Sequence, residues 1–212
     1  MQIKRTLCAI FTAAFIVILG VLPSAQASEK GLKIAIFAGG CFWCVESDFD
    51  NVTGVEKTIS GYIGGSLKNP TYQHVSRGNT GHREALQIFY DPKKVTYKKL
   101  LDVFWRSVDP TDAGGQFCDR GFIYSTAVYA TTNDERKIAE ASKQAINESG
   151  VLKKPIATAI ETAGKFYPAE DYHQDYYKRN PIRYKLYRFN CGRDRTVSAV
   201  WGKEAHKGIN KH

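Results

Sequence analysis

The sequence predicts an α+β fold: a single-domain two-layer α/β sandwich that ends in an irregular C-terminal tail. Three observations carry this. Short runs with strand character recur along the chain, segments with helical spacing lie between them, and no repeat, low-complexity stretch or linker divides it. The interleaving suits a layered fold with several antiparallel pairings, and it leaves the strand order open.

Each element has its own signal. "KIAIFA" (33–38) reads as a buried strand, and Gly39-Gly40 as a turn into a helix that starts near Cys41. "VEKTISGYIGG" (55–65) is a strand running into a glycine turn, and "HREALQIFYDP" (82–92) a strand closed by Asp91-Pro92. Thr96 caps a helix in which Tyr97, Leu100, Leu101, Phe104 and Val108 recur at helical spacing. The loop "DPTDAGGQFCDRG" leads to a strand over 122–131, then Asn133 caps a polar helix that ends before Gly150. "PIATAIETA" (155–163) is another strand, and "PAEDYHQDYYKRN" a short helix stopped by Pro181. From "RYKLYRFNCGRDR" onward there is little periodicity, which predicts a wrapping tail.

The N-terminus bears on the compartment. Lys4 and Arg5 precede an uncharged apolar run over 7–22, and Ala25-Gln26-Ala27 fits the small-x-small rule for cleavage. The run is short for a span of roughly 20 residues, so we read 1–27 as a secretory signal peptide rather than a membrane anchor. Removing 27 of 212 residues leaves a domain of 185, residues 28–212 with a core of about 33–201. Export implies a periplasmic location in a two-membrane cell. The net charge of +9 falls to +7 without Lys4 and Arg5, and its lysines and arginines are scattered or in pairs. No basic stripe with interleaved aromatics appears, so nucleic acid is not an expected partner. Nothing demands more than a monomer.

Loss of Cys8 with the leader reduces five cysteines to four: Cys41, Cys44, Cys118 and Cys191. A secreted chain could use these as two staples, but a domain of this length with 43% hydrophobic residues does not need them. Chemistry is the better use. If a helix begins near Cys41, its free amides and dipole favour the Cys41 thiolate, and Cys44, one turn deeper, is less favoured as an anion. Phe42 and Trp43 then offer an apolar wall beside the sulfur, suited to a methyl group. In a strand Glu84 shares a face with Leu86, Ile88 and Tyr90, and burial there would keep its carboxyl protonated near neutrality. An exposed carboxylate at the start of the strand is the simpler reading of Glu84 taken alone. Cys118 reads as a buried small hydrophobe.

The ordered set "GCFWC", "NPTYQHVSRGNTGHREA" and "FYPAEDYHQDY" closely resembles the A-type peptide-methionine sulfoxide reductases, over residues 33–201. The resemblance implies a ferredoxin-like plait with extensions and an enzyme that repairs oxidised proteins or free methionine sulfoxide. It implies that Cys41 is the nucleophile and that Phe42 and Trp43 hold the substrate methyl. Tyr72, Glu84 and Tyr124 would bind the sulfoxide oxygen, with Glu84 giving a proton. Asp119 and His173 would be second-line polar residues of the pocket. The cycle needs no metal or organic cofactor and ends in reduction by a thioredoxin-like dithiol. Cys191, in "NCGRDR", matches the resolving thiol, with Gly192 beside it for movement, and Cys44 stays open as the alternative. Around "GQFCDRGFIYS" the chain departs from the commoner family pattern at Phe117, Cys118, Ile123 and Ser125, while Asp119 and Tyr124 are kept.

Two other readings were weighed. A thioredoxin-type oxidoreductase using Cys41 and Cys44 lacks an evident cis-proline loop. A zinc module needs a second close cysteine pair, yet Cys118 and Cys191 lie 73 positions apart.

Overall fold

The computed structural model describes residues 31–210, so the leader expected over 1–27 lies outside the described residues. The first strand, β1 (Lys33–Ala38), is buried on both faces. Ala35 and Phe37 join one apolar cluster and Ile36 and Ala38 another, which is why the run is continuously apolar. After the two glycines come α1 (Phe42–Phe49), β2 (Val55–Ile63), α2 (Tyr72–Ser76), β3 (Arg83–Tyr90) and α3 (Tyr97–Trp105). The Thr96 hydroxyl accepts from the Lys99 N–H at 3.2 Å and caps α3 as expected. A small hairpin of β4 (Gly115–Gln116) and β5 (Asp119–Arg120) precedes β6 (Ala127–Ala130). The chain continues through α4 (Asn133–Glu148), β7 (Ala159–Thr162), β8 (Tyr167–Pro168), α5 (Tyr176–Arg179), α6 (Pro181–Cys191) and α7 (Arg193–Trp201).

Six strands form one sheet in the order β7-β6-β1-β3-β2-β8. Neighbours are antiparallel except β6 and β7, which α4 joins as a parallel crossover. The units β1-α1-β2 and β3-α3-β6 thus build the ferredoxin-like plait, with β7 and β8 added at the edges. Phe37, Leu86, Ile88 and Val128 of the sheet pack with Phe49 of α1, Phe104 of α3, Ala139 of α4 and Trp201 of α7. Each of the Val, Leu, Ile and Phe side chains contributes about 1.5–3 kcal/mol through burial. Among the described residues no helix is long and apolar enough to cross a membrane.

Four local expectations are corrected. The strand expected over 122–131 begins only at Ala127, because the Ser125 hydroxyl and N–H both bond to the Phe122 carbonyl and close a turn. Thr132 rather than Asn133 caps α4, accepting from the Glu135 N–H at 3.2 Å. The short helix expected over 168–180 is confined to Tyr176–Arg179, and Pro181 not only follows its end but opens α6, since at a first turn its missing N–H costs nothing. The tail is not irregular: it is α6 and α7, joined at Gly192 with φ +73°. Helix α6 turns Tyr184, Tyr187, Arg188 and Cys191 to the protein, at helical spacing. It leaves Ile182 and Phe189 77% and 80% exposed, so its apolar residues mark the wrong face.

Candidate active site

The site grows from the end of β1. Gly40 has φ +84°, and a Cβ there would lie 2.7 Å from Gln116 Cβ, so only glycine makes this turn. The turn places Cys41 as the N-cap of α1, as the sequence predicts. The first amide of the helix, Phe42 N–H, donates to Glu84 Oε2 at 2.9 Å. That bond brings the carboxyl from β3 next to the cysteine. Glu84 is 2% exposed, and burial pushes its pKa up to about 8 against the opposing pull of the Phe42 N–H. Near neutrality it holds its proton, and the exposed alternative is excluded.

The thiols depart from expectation. Cys41 is 7% exposed, and burial raises its pKa, reinforced by the hydrogen bond to Cys44 and by the Glu84 charge. Cys44 is lowered instead, first by the hydrogen bond from Cys41 and then by the Arg193 and Arg188 charges. In this hydrogen-bonded pair Cys41 keeps its proton the more tightly and Cys44 is the more acidic thiol. Desolvation therefore outweighs the helix N-terminus, whose first amide Glu84 already occupies.

Around Cys41 lies a pocket of about 70 Å³ lined by Phe42, Trp43, Tyr72, Glu84, Asp119, Tyr124 and Tyr187. It is small enough for only a few heavy atoms. Tyr72 and Tyr124 share a hydrogen bond, and burial raises both phenols, so they remain O–H donors. Glu170 fixes Tyr72 from behind, accepting from its N–H at 2.8 Å and from Tyr62 O–H at 2.9 Å. Trp43 stacks on Tyr176 at 3.7 Å and donates from Nε1 to His173 Nδ1 at 3.1 Å. His173 is buried, its pKa lowered by desolvation, so it is a neutral ring that orients Trp43 from outside the pocket lining. Asp119, raised by burial, accepts from Tyr187 O–H, and Tyr187 in turn hydrogen-bonds Cys41. A groove of about 680 Å³, bordered by Ile138, Ile146 and Trp201, is much larger but has no cysteine in its lining.

Eight of the nine residues named from the sequence meet in or directly behind this pocket. Cys191 is the exception. It forms a disulfide with Cys118, while Cys41 and Cys44 are free. The expected bond from Cys41 to Cys191 is not the one formed here, and Cys118 is exposed rather than buried. The reason is local: the hairpin turn holds Cys118 beside the end of α6, and Tyr187 stands at Cys41. The sequence reading also missed Tyr187, Glu170 and Arg193. Arg193, buried under α1, donates to Gly39 O at 3.0 Å and Ser107 O at 2.9 Å and pairs with Asp48 at 3.4 Å. The i, i+3, i+4, i+7 spacing of Tyr184, Tyr187, Arg188 and Cys191 was the available signal for Tyr187.

Comparison with known proteins places the whole chain. Residues 33–205 match the family described as peptide methionine sulfoxide reductase. The chain is 53% identical over 196 residues to peptide methionine sulfoxide reductase MsrA 2 of Rhizobium meliloti, covering 92% of this chain and 96% of the relative. It is 52% identical over 175 residues to MsrA of Bacillus subtilis, covering 82% and 98% of the two chains. Among solved structures, methionine sulfoxide reductase A of Corynebacterium diphtheriae is similar with a TM-score of 0.64 and 31% identity, covering 73% of this chain and 78% of that one. Reduced Mxr1 of Saccharomyces cerevisiae also has a TM-score of 0.64, with 32% identity and coverage of 71% and 87%. The protonated carboxyl beside a buried cysteine in an aromatic pocket stands in a chain that the family model matches over most of its length: the chain belongs to the peptide methionine sulfoxide reductases of the A type, oxidoreductases that return methionine sulfoxide to methionine.

Proposed function

We propose that this chain reduces the S epimer of methionine sulfoxide, in proteins or as the free amino acid, through a sulfenic acid on Cys41. The observation that carries the reading is Glu84, held protonated by burial and tied to the amide next to Cys41. Phe42 and Trp43 receive the sulfoxide methyl, and Glu84, Tyr72 and Tyr124 receive its oxygen. With methyl, oxygen and attacking sulfur fixed, the remaining substituent of the chiral sulfur has one way out. Only one epimer can satisfy all four directions, and the family resemblance makes it S.

Cys41 attacks the substrate sulfur as its proton passes to the Cys44 thiolate, the acceptor form that Arg193 and Arg188 favour. Glu84 protonates the departing oxygen. The oxygen ends on Cys41, leaving methionine and a Cys41 sulfenic acid. The Cys191 thiol then attacks the Cys41 sulfur and expels water, forming a Cys41–Cys191 disulfide once Tyr187 gives way. A thioredoxin-like dithiol restores the thiols by exchange, with no prosthetic group in the cycle. The expected leader makes this a repair enzyme of the exported proteome, periplasmic in a two-membrane cell and monomeric. Fractionation of cells and a mature N-terminus at Ser28 test that placement.

The central test is single-turnover assay of both epimers of a blocked methionine sulfoxide. The S epimer is expected to yield one methionine per chain and the R epimer none. Cys41→Ser abolishes the yield, and methionine formed by that variant would overturn the mechanism.

A further inference from the structure

Helix α6 is held from within by polar groups, and its apolar residues face outward. Ile182, Leu186 and Phe189 are 77%, 58% and 80% exposed, and at 3.6 residues per turn they form one stripe along the helix. Tyr184, Tyr187, Arg188 and Cys191 lie on the opposite side. A lone exposed apolar side chain is ordinary on a surface, whereas a contiguous stripe marks an interaction site. The same helical period puts Arg183 on one flank of the stripe and Lys185 on the other, both exposed. Neither has an ion pair or side-chain hydrogen bond among the described residues.

The charge around the stripe is one-sided. From Tyr176 to Arg193 the sequence carries six lysines and arginines and no aspartate or glutamate. Arg188 and Arg193 turn inward to Asp48, and Lys178 pairs with Asp50 and Asp175. Arg179 donates to the Asp171 backbone carbonyl, which leaves its charge uncompensated. Arg179, Arg183 and Lys185 thus surround an apolar stripe with positive charge that no carboxylate neutralises.

We propose that the outer face of α6 is a docking surface for an anionic phospholipid bilayer. Ile182, Leu186 and Phe189 enter the headgroup boundary, and Arg183 and Lys185 bind headgroup phosphates on either side. An apolar stripe flanked by cations is what an interfacial helix presents, and the long stems of Arg183 and Lys185 let their charges reach the phosphates while the stripe sinks. Other occupants fit less well. A second copy docked by the same stripe would set Arg183 and Lys185 against their own equivalents with no carboxylate between them. A dithiol must reach a sulfur, and Cys191 lies on the side of the helix opposite the stripe. Three apolar side chains and three cations give a peripheral, salt-sensitive attachment. None of these residues lines the pocket around Cys41, so lipid binding stands or falls independently of the redox reading.

The experiment is flotation of the chain from Ser28 with lipid vesicles, without sulfoxide or reductant. Residues 31–210 hold the six-stranded sheet and its core, so this chain folds without the apolar leader, which would bind lipid by itself. Vesicles of phosphatidylglycerol mixed with phosphatidylcholine are expected to bind about tenfold or more tightly than phosphatidylcholine alone, and less as salt rises. Combining Arg183→Gln with Lys185→Gln is expected to weaken binding about thirtyfold, at about fivefold per cation. Phe189→Ser is expected to weaken it about tenfold or more. An unchanged thermal unfolding midpoint shows that each variant is folded, since all three side chains are exposed. Absence of binding, equal binding to neutral vesicles, or variants that bind like the wild type overturn the proposal. It is overturned too if Phe189→Ser leaves vesicle binding intact but dissolves a dimer seen by ultracentrifugation, or raises the KM for a thioredoxin-like protein. The stripe then belongs to a protein partner.

Discussion

In the proposed mechanism Glu84 is the residue on which the chemistry turns, and its burial sets the expected pH behaviour. The acid form is needed to protonate the sulfoxide oxygen, and it is lost as pH rises through about 8. Single-turnover methionine formation is therefore expected to fall on the alkaline side of about pH 8. Glu84→Gln should abolish that limb and lower the rate by about 10²–10⁴-fold, read by rapid-quench assay across pH. Stability has its own sign. The folded carboxyl binds its proton more tightly than the unfolded one, so its contribution is full below the ordinary value of 4.5 and is lost as pH rises through about 8. Urea titrations should show Glu84→Gln gaining on the wild type over that window. At this scale much was legible: "GCFWC" and "GHREA" pointed to Cys41 and Glu84, and the structure brings the two together in one pocket. The direction of the thiol shift was not, because it depends on enclosure by α6, an element with no apolar signature on its inner face.

At the scale of elements, the strand-turn-helix from β1 into α1 positions the nucleophile, and Gly40 is its pivot. Gly40→Ala forces a Cβ against Gln116 at a positive φ. We expect a loss of about 1–3 kcal/mol in chemical denaturation. The rate of methionine formation should fall more than the apparent affinity for sulfoxide, because Cys41 itself is displaced. The Thr96 cap of α3 lies far from the pocket, so Thr96→Ala is expected to cost about 1 kcal/mol with turnover unchanged. The strands β1 and β3 were readable to within a residue or two, and α3 to within one turn, since the helix ends at Trp105 before Val108. Helix α6 was not, because its inward face is tyrosine, arginine and cysteine while Ile182, Leu186 and Phe189 point outward. Hydrophobic period is a sound guide only where apolar burial orders the element. Here ion pairs do so instead, including Arg188 to Asp48 at 2.8 Å.

Across the whole molecule, the C-terminal helices lock the catalytic turn. Arg193 reaches from the start of α7 to the carbonyls of Gly39 and Ser107 and to Asp48, while Trp201 Nε1 donates to Val108 O at 2.9 Å. Removing Arg193 leaves buried acceptors and part of the Asp48 charge without a partner, so Arg193→Ala is expected to cost about 3 kcal/mol in thermal or chemical unfolding. The plait could be expected from the motifs, but this long-range clasp could not, since it joins residues 154 positions apart. The enclosure it maintains has a consequence for survival in an oxidising milieu. Peroxides react with accessible thiolates, and Cys41 at rest is neither accessible nor deprotonated. A thiol that is both enclosed and protonated is a poor target for the oxidants that create methionine sulfoxide.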